Sequence, residues 1–262
     1  MIADVHANVQ ALDAAVSALR RIGVDAFACA GDLVGYGPQP NECVEAVRAL
    51  DAVTVAGNHD LIALGALSED RCERLARESL RWTRAALDAT TRDYLARLPR
   101  RAELPGGVVL AHGSLEDPQE YVLSVHDAAG QLARLAEADP EAQLLVVGHT
   151  HRPLACDEYA AAPRLGRRAR IALDGGRRWL LNPGAVGQSR EARLRARFML
   201  LDLDRREVTF HAVRYDVRRT RALLREAGLP ARSVHLAPWR PKAFLRPAIR
   251  AGRRLQAGVR GE

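Results

Sequence analysis

The chain has 262 residues, of which 48% are hydrophobic and 27% are charged. This composition excludes global disorder, and the length allows one large domain or two small ones with a substantial apolar core. Its apolar runs fall short of the ~18–20 residues that cross a membrane, and the first ten residues lack the regions of a secretory signal. We therefore expect a cytoplasmic protein.

The net charge of +7 is unevenly distributed. Residues 238–262 contain seven Arg or Lys and one acidic residue, and the rest of the chain is nearly neutral. We therefore expect a basic C-terminal extension over residues 231–262. Such a segment can bind nucleic acid, but Lys242 is the only lysine. Arg thus replaces Lys almost throughout this sequence, so the arginines of the extension are weak evidence for a binding role. Nucleic acid is therefore only a secondary hypothesis for the binding partner of this protein.

Apolar spacing predicts the elements in chain order. The first half reads as a helix over 8–22, a strand "DAFACAGD", a helix over 40–50, a strand "AVTVAGNHD", and two helices over 67–98 broken near 88–91. The second half reads as "GVVLAHG", a helix over 127–137, "QLLVVGHTH", "RRARIALD", "RRWLLNPG", "RARFMLLDLD", "EVTFHAVRY" and a helix over 217–227. This order predicts a mixed α/β domain with two sheets over residues 1–230, with no linker before about Leu229.

Polar side chains follow five of the apolar segments, most of them beside a glycine. They are Asp4 and His6; Asp32; Asn58, His59 and Asp60; His112; and His149 and His151. In α/β proteins the carboxyl ends of strands are where ligand-binding groups converge. We therefore expect these side chains to meet at one site.

Their chemistry indicates a metal site. Carboxylate, imidazole and amide oxygen are donors for divalent transition metals. Residues two apart on an extended backbone project to the same side, so we expect the two pairs, Asp4 with His6 and His149 with His151, each to reach one ion. Seven donors are more than one tetrahedral ion can bind, and they suit two ions about 3.5–4 Å apart. Asp32 is the natural bridging ligand.

Together these motifs resemble the calcineurin-like metallophosphoesterase superfamily, in particular its small bacterial and archaeal phosphodiesterase-like branch. The motifs are D-x-H, G-D, G-N-H-D, H-G and G-H-T-H, supported by "GDLVGYGPQP", "RWT", "AHGSLEDPQEYV" and "LNPGAVGQSREA". The resemblance covers roughly residues 1–230. It implies a four-layer α-β-β-α sandwich with two mixed sheets.

The resemblance also implies residue roles. Asp4, His6, Asp32 and His151 would hold one metal, and Asp32, Asn58, His112 and His149 the other. His59 would act on the substrate as an acid or transition-state stabiliser, and Asp60 would orient its ring. Asn8 and Tyr36 are candidates for the edge of the substrate pocket, with a helix cap and loop packing as equally good alternatives.

The implied reaction is hydrolysis of a phosphodiester or phosphomonoester of a small molecule by a hydroxide that bridges two ions of Mn, Fe, Ni or Zn. Nucleotides are among the implied substrates. Two alternatives stay open: a nuclease that uses the basic extension, and a non-enzymatic metal-binding scaffold. The sequence does not select a substrate, a metal or an oligomeric state.

Three further expectations concern residues outside these motifs. Only three residues precede Asp4, where the family has a full strand, so we expect the natural start to lie upstream of Met1. The four cysteines have no CxxC spacing, and we expect buried thiols. His126, His211 and His235 lie away from the motifs and are expected at the surface.

Overall fold

The computed structural model describes residues 1–163 and 165–236. The α-helices are α1 (Val9–Ile22), α2 (Pro40–Arg48), α3 (Asn58–Ala63), α4 (Arg74–Ala86), α5 (Ala89–Ala96), α6 (Val125–Ala138) and α7 (Val217–Glu226), and a 3₁₀ turn spans Ala231–Val234. The strands are β1 (Ala28–Cys29), β2 (Val53–Thr54), β3 (Ala102–Leu104), β4 (Val108–Leu110), β5 (Leu144–Val146), β6 (Pro153–Asp157), β7 (Ala169–Ala172), β8 (Trp179–Pro183), β9 (Ala196–Asp202) and β10 (Glu207–Val213).

The first sheet is assembled around the N-terminal residues. β1 and β2 pair in parallel, and β7, β10 and β9 form an antiparallel group in that order. Ile2 pairs with Cys29 beside β1, and the Met199 N–H on β9 donates to the Met1 carbonyl over 3.1 Å. The N-terminal residues thus join the two groups into one mixed sheet.

The second sheet has the order β3-β4-β5-β8-β6. Its three central strands are parallel, and the two outer strands run antiparallel to their neighbours. Apolar runs such as Leu144–Val146 form these central strands because both faces of the sheet are covered.

The hydrophobic core consists of three main clusters, one between the two sheets and one between each sheet and the helices that cover it. Met199 and Phe210 of the first sheet pack against Val108 and Leu181 of the second, so the two sheets lie face to face. Helices α1 and α2 cover the outer face of the first sheet, and α6 covers the outer face of the second. The expected four-layer α-β-β-α sandwich is confirmed.

Several element bounds differ from the sequence prediction. β1 and β2 are two residues each, far shorter than the apolar runs that contain them. α3, β3 and β6 were not predicted. The helical region expected over 67–98 begins only at Arg74, and its break falls at residues 87–88, where Asp88 caps α5 by accepting the Thr91 N–H.

The described part of the C-terminal extension is packed. Val234 in the 3₁₀ turn contacts Leu224 and Leu229 at the end of α7. Residues 237–262 lie outside the described residues. They carry most of the basic charge of the expected extension, and the hypothesis of nucleic-acid binding rests on them. Within the described ranges, none of the helices is both long and apolar enough to traverse a bilayer.

Candidate metal centre

The polar residues predicted from the motifs meet at one edge of the sandwich. Each follows an element whose carboxyl end points to this edge: the N-terminal residues, β1, β2, β4 and β5. The set is buried throughout and comprises Asp4, His6, Asp32, Asn58, His59, Asp60, His112, His149 and His151. The parallel strands bring these residues together although they are distant in sequence.

The backbone at five of these residues is left-handed rather than extended. The φ angles are 53° at Asp4, 46° at His6, 55° at Asp32, 64° at His149 and 58° at His151. The extended backbone assumed for the two pairs is therefore wrong. A left-handed conformation costs about 1–2 kcal/mol for a residue with a Cβ, and such strain concentrates at functional sites. Here it turns each side chain into the cluster at the point where the chain leaves the sheet.

One group of donors contains Asp4, His6, Asp32 and His151, whose donor atoms all lie within 4.8 Å of one another. The Nε2 atoms of His6 and His151 are 3.1 Å apart. His6 Nε2 lies 3.5 Å from Asp32 Oδ2, and His151 Nε2 lies 3.6 Å from Asp4 Oδ1. These spacings suit one ion with bonds of about 2.0–2.2 Å.

The second group contains Asp32, His112 and His149. His112 Nε2 lies 3.3 Å from Asp32 Oδ2 and 3.0 Å from the Asn58 side-chain oxygen, which adds a fourth donor. Asp32 Oδ2 therefore faces both groups, whereas its Oδ1 accepts the His59 N–H over 2.8 Å. Of the described residues, Asp32 alone belongs to both groups.

Backbone carbonyls fix the tautomers of three imidazoles. His6 Nδ1 contacts the Val34 carbonyl at 2.9 Å, and the Nδ1 atoms of His112 and His151 contact the carbonyls of Ala30 and Gln188 at 2.7 Å each. Because a carbonyl oxygen only accepts, each Nδ1 carries the proton. The Nε2 lone pairs of neutral His6 and His151 then face each other across 3.1 Å, an arrangement that a shared cation stabilises.

Burial keeps most of these imidazoles neutral. It lowers the pKa of His6 to about 3 and lowers the pKa values of His149 and His151 well below their ordinary range. Burial also lowers the pKa of His112, but attraction to Asp32 outweighs it and raises that pKa to about 9. In turn, His112 and neighbouring imidazoles outweigh burial at Asp32 and hold its pKa well below the usual value. A cation would take the place of the proton that this pair holds.

Several buried donor atoms have no hydrogen-bond partner within residues 1–163 and 165–236. They include Asp4 Oδ2, Asp32 Oδ2 and His149 Nε2. Buried polar atoms are nearly always satisfied, so orphaned atoms that converge on one point indicate a missing ligand. Three of them belong to groups with nitrogen and carboxylate donors of the kind that binds divalent transition metals. The residues present therefore fit two metal ions.

His59 lies beside this cluster and not within either group. Its ring centroid is 4.8 Å from the rings of His6 and Tyr36, and its buried Nδ1 has no hydrogen-bond partner in the described part of the chain. Burial lowers its pKa to about 4. Gly35 makes room for the ring, because a Cβ there would lie 2.3 Å from His59 Nδ1.

Among the described residues, the Asp60 carboxylate makes hydrogen bonds to backbone N–H groups and none to the His59 ring that it was expected to orient. Its Oδ1 accepts the N–H groups of Leu33 and Val34, and its Oδ2 accepts that of Gly57. These three bonds tie the first turn of α3 to the loop that carries Asp32. Asp60 is thus a positioning residue for the loop that carries Asp32.

The two candidates for substrate contact are placed differently. Asn8 caps α1 by accepting the Ala11 N–H, and its amide donates to the Gly187 carbonyl over 2.8 Å. Its side chain is fully buried, so the helix-cap alternative describes it. Tyr36 packs its ring against His6 and His59 and lines the cavity that opens from the cluster.

Two residues of this site were not singled out from the sequence. Tyr121 stacks on the His149 ring with centroids 3.9 Å apart, and the Arg190 guanidinium lies 5.7 Å above the Tyr121 ring. Both fall in stretches that carry the family resemblance, "AHGSLEDPQEYV" and "LNPGAVGQSREA". Their place within these two stretches was the only sequence signal for Tyr121 and Arg190, because neither residue directly follows a predicted strand.

Comparison with known proteins agrees with this geometry. The model of the calcineurin-like phosphoesterase superfamily domain matches residues 1–206. A crystal structure of a metallophosphoesterase from Sphaerobacter thermophilus is 40% identical, with a TM-score of 0.77 over 89% of this chain and 94% of that chain.

Two archaeal proteins are also similar. The uncharacterised protein MJ0912 of Methanocaldococcus jannaschii is 30% identical over 222 residues, which are 84% of this chain and 88% of that protein. The hypothetical protein PH1004 from Pyrococcus horikoshii shares the fold at 20% identity, with a TM-score of 0.71 over 89% of this chain and 94% of that chain.

Proposed function

Since this chain belongs to the calcineurin-like phosphoesterase superfamily, we propose that it is a two-metal phosphoesterase that hydrolyses phosphodiester or phosphomonoester bonds of a small molecule. The observation that carries the proposal is the meeting of buried imidazoles and two carboxylates in two adjoining donor groups, in which Asp4 Oδ2, Asp32 Oδ2 and His149 Nε2 have no hydrogen-bond partner among the described residues. Charge of this kind is buried only where a ligand neutralises it.

The donors divide between two ions. We assign Asp4, His6, Asp32 and His151 to the first and Asp32, Asn58, His112 and His149 to the second. Two divalent cations bound there would supply Lewis-acid polarisation of the phosphate and of a water molecule. Mn, Fe, Ni and Zn all suit this set of nitrogen and oxygen donors.

His59 is the residue placed to act on the substrate. It lines the cavity next to Asn58 and His149, outside both groups of donors. Its pKa of about 4 leaves it neutral near pH 7, which favours donating a hydrogen bond to a phosphate oxygen over supplying a proton. Donors aimed at developing charge typically lower a barrier by several kcal/mol, about 2.7–4 for one oxyanion-hole donor. The ring of Tyr36 holds this imidazole in place.

Metal-dependent hydrolysis tests the proposal. Protein stripped with a chelator and reloaded with Mn²⁺, Fe²⁺, Ni²⁺ or Zn²⁺ is assayed with p-nitrophenyl phosphate, bis(p-nitrophenyl) phosphate and dinucleoside polyphosphates, with metal content measured on the same samples. We expect about two ions per chain and hydrolysis that at least one metal restores. Two bound ions without hydrolysis of any ester would instead favour the metal-binding scaffold.

A further inference from the structure

A large cavity opens outward from the metal centre. Its volume is about 890 Å³, and Asn58, His59 and His149 line its inner end. This volume is in the range of sites that enclose a whole small molecule, and it exceeds the room that a single phosphate needs. The walls beyond the metal centre therefore leave room for parts of a ligand other than a reacting phosphate.

Those walls combine positive charge with apolar surface. Five arginines line the cavity, and Glu73 is the one acidic residue among the described residues that line it; the arginines are Arg71, Arg74, Arg152, Arg190 and Arg232. Arg71 pairs with Asp117 and Arg74 with Glu78 outside the cavity. No ion pair within the described ranges involves Arg190 or Arg232.

Arg190 adjoins the metal centre through Tyr121. Its Nε is buried and lacks a hydrogen-bond partner in the described part of the chain. Its guanidinium lies over Tyr121, which stacks on His149. Its charge also contributes to the lowered pKa of His151. The guanidinium contacts Tyr121, but its buried Nε–H is left to donate to an anion bound in the cavity.

The loop that carries Arg190 is held by residues 231–236. The Ser189 N–H donates to the Val234 carbonyl, and the Leu236 N–H donates to the Ser189 carbonyl, both over 3.1 Å. On the other side of Arg190, the His235 Nε2–H donates to the Glu191 carbonyl over 2.7 Å. These bonds bracket Arg190, so His235, expected at the surface, has a structural role.

The same segment reaches the cavity directly. Arg232 and Leu236 line it, and Val234 anchors the segment on Leu224 and Leu229. The matched family domain ends at residue 206. Residues 231–236 lie beyond the range that the family model matches, and they both supply and position part of the cavity wall.

We propose that residues 231–236 complete an anion subsite, formed by Arg190 and Arg232, that binds a second phosphate of the substrate. Preferred substrates would carry a further phosphate beside the one that reacts, and an organic group against Leu75, Leu123 and Leu236. This inference rests on the proposed function, because it takes the metal centre as the site of the reacting phosphate.

Binding of two non-hydrolysable probes to the metal-loaded protein tests the subsite. Methylphosphonate offers one phosphonate group and methylenediphosphonate offers two. Titration calorimetry compares Arg232→Gln with Arg225→Gln, a control at an exposed position of α7 outside the cavity. Loss of a charged hydrogen bond predicts about 10–100-fold weaker binding of methylenediphosphonate by R232Q, a smaller loss for methylphosphonate, and no change for R225Q.

His235 tests the positioning of Arg190. His235→Ala should weaken the binding of methylenediphosphonate more than the binding of methylphosphonate. His235→Gln keeps an N–H donor and should restore much of the affinity. Equal loss for both probes, or no loss in R232Q, would overturn the subsite while hydrolysis of bis(p-nitrophenyl) phosphate by the unchanged protein still supported the proposed function. Absence of hydrolysis of every ester in the assay, p-nitrophenyl phosphate and dinucleoside polyphosphates included, would reject the function and leave the contrast between probes measurable.

Discussion

At the scale of single residues, Asp32 links the two groups of donors. One of its carboxylate oxygens faces His6 and His112, and the other accepts the His59 N–H. Asp32→Asn keeps the size and the acceptor but removes the charge. We expect metal content to fall from about two ions to less than one per chain, measured by plasma mass spectrometry on folded protein.

The matched control for this change is Asp204→Asn, at an exposed position, which should leave the metal content unaltered. Retention of both ions by D32N would show that Asp32 is not the shared ligand. Circular dichroism of both variants separates metal loss from unfolding.

Substitution of His59 tests whether catalysis can be lost while metal binding is kept. Because this residue lies outside both groups of donors, His59→Ala should lower kcat by about 10²–10³-fold, the range for loss of one hydrogen-bond donor aimed at developing charge. Metal content should stay near that of the unchanged protein. A loss of metal equal to the loss of activity would place His59 among the ligands and contradict its proposed role.

At the scale of elements, α3 and the loop after β1 fit together without spare space. A Cβ on Gly57 would lie 2.1 Å from Asp32 Oδ1 and 2.3 Å from the Asp32 nitrogen. Gly57→Ala should therefore displace the Asp32 loop, lower the free energy of unfolding by about 1–3 kcal/mol and reduce metal content. Urea denaturation and metal analysis measure the two effects.

Gly130 in α6 is the control for the same substitution, because a Cβ there meets nothing within 4 Å. Gly130→Ala should raise the free energy of unfolding by about 0.5–1 kcal/mol, since it removes backbone freedom from the unfolded chain. If G57A were as stable and as metal-rich as G130A, the close approach of α3 to Asp32 would have no consequence for the site.

Asn8 joins α1 to two other parts of the fold. Besides capping α1, it donates to the Gly187 carbonyl and accepts the hydroxyl of Thr220 on α7. Asn8→Ala should lower the free energy of unfolding by about 2–3 kcal/mol, from a cap of about 1 kcal/mol and two buried hydrogen bonds of about 1 kcal/mol each.

Asp88→Ala removes a cap whose only role is local, at α5, and should cost about 1 kcal/mol. KM for an ester substrate should be the same for N8A and the unchanged protein. A raised KM at unchanged stability would indicate instead that Asn8 contacts the substrate.

At the scale of the whole molecule, the sequence predicted the layers and the donor residues better than the backbone that presents them. Apolar runs and helical spacing were sufficient for a mixed α/β domain with two sheets, and the family resemblance supplied the four-layer sandwich. The left-handed turns at Asp4 and Asp32 were not visible, because these residue types impose no such conformation and only tertiary contacts hold it. The bonds of Asp60 and the position of Arg190 depend on contacts between distant segments, which no local pattern encodes.

The central claim is that two ions lie between side chains contributed from residue 4 to residue 151. Anomalous diffraction from crystals grown with Mn²⁺ tests it most directly. We expect two anomalous peaks about 3.5–4 Å apart, one on each side of the Asp32 carboxylate. A single peak, or peaks that Asp32 does not touch, would contradict it.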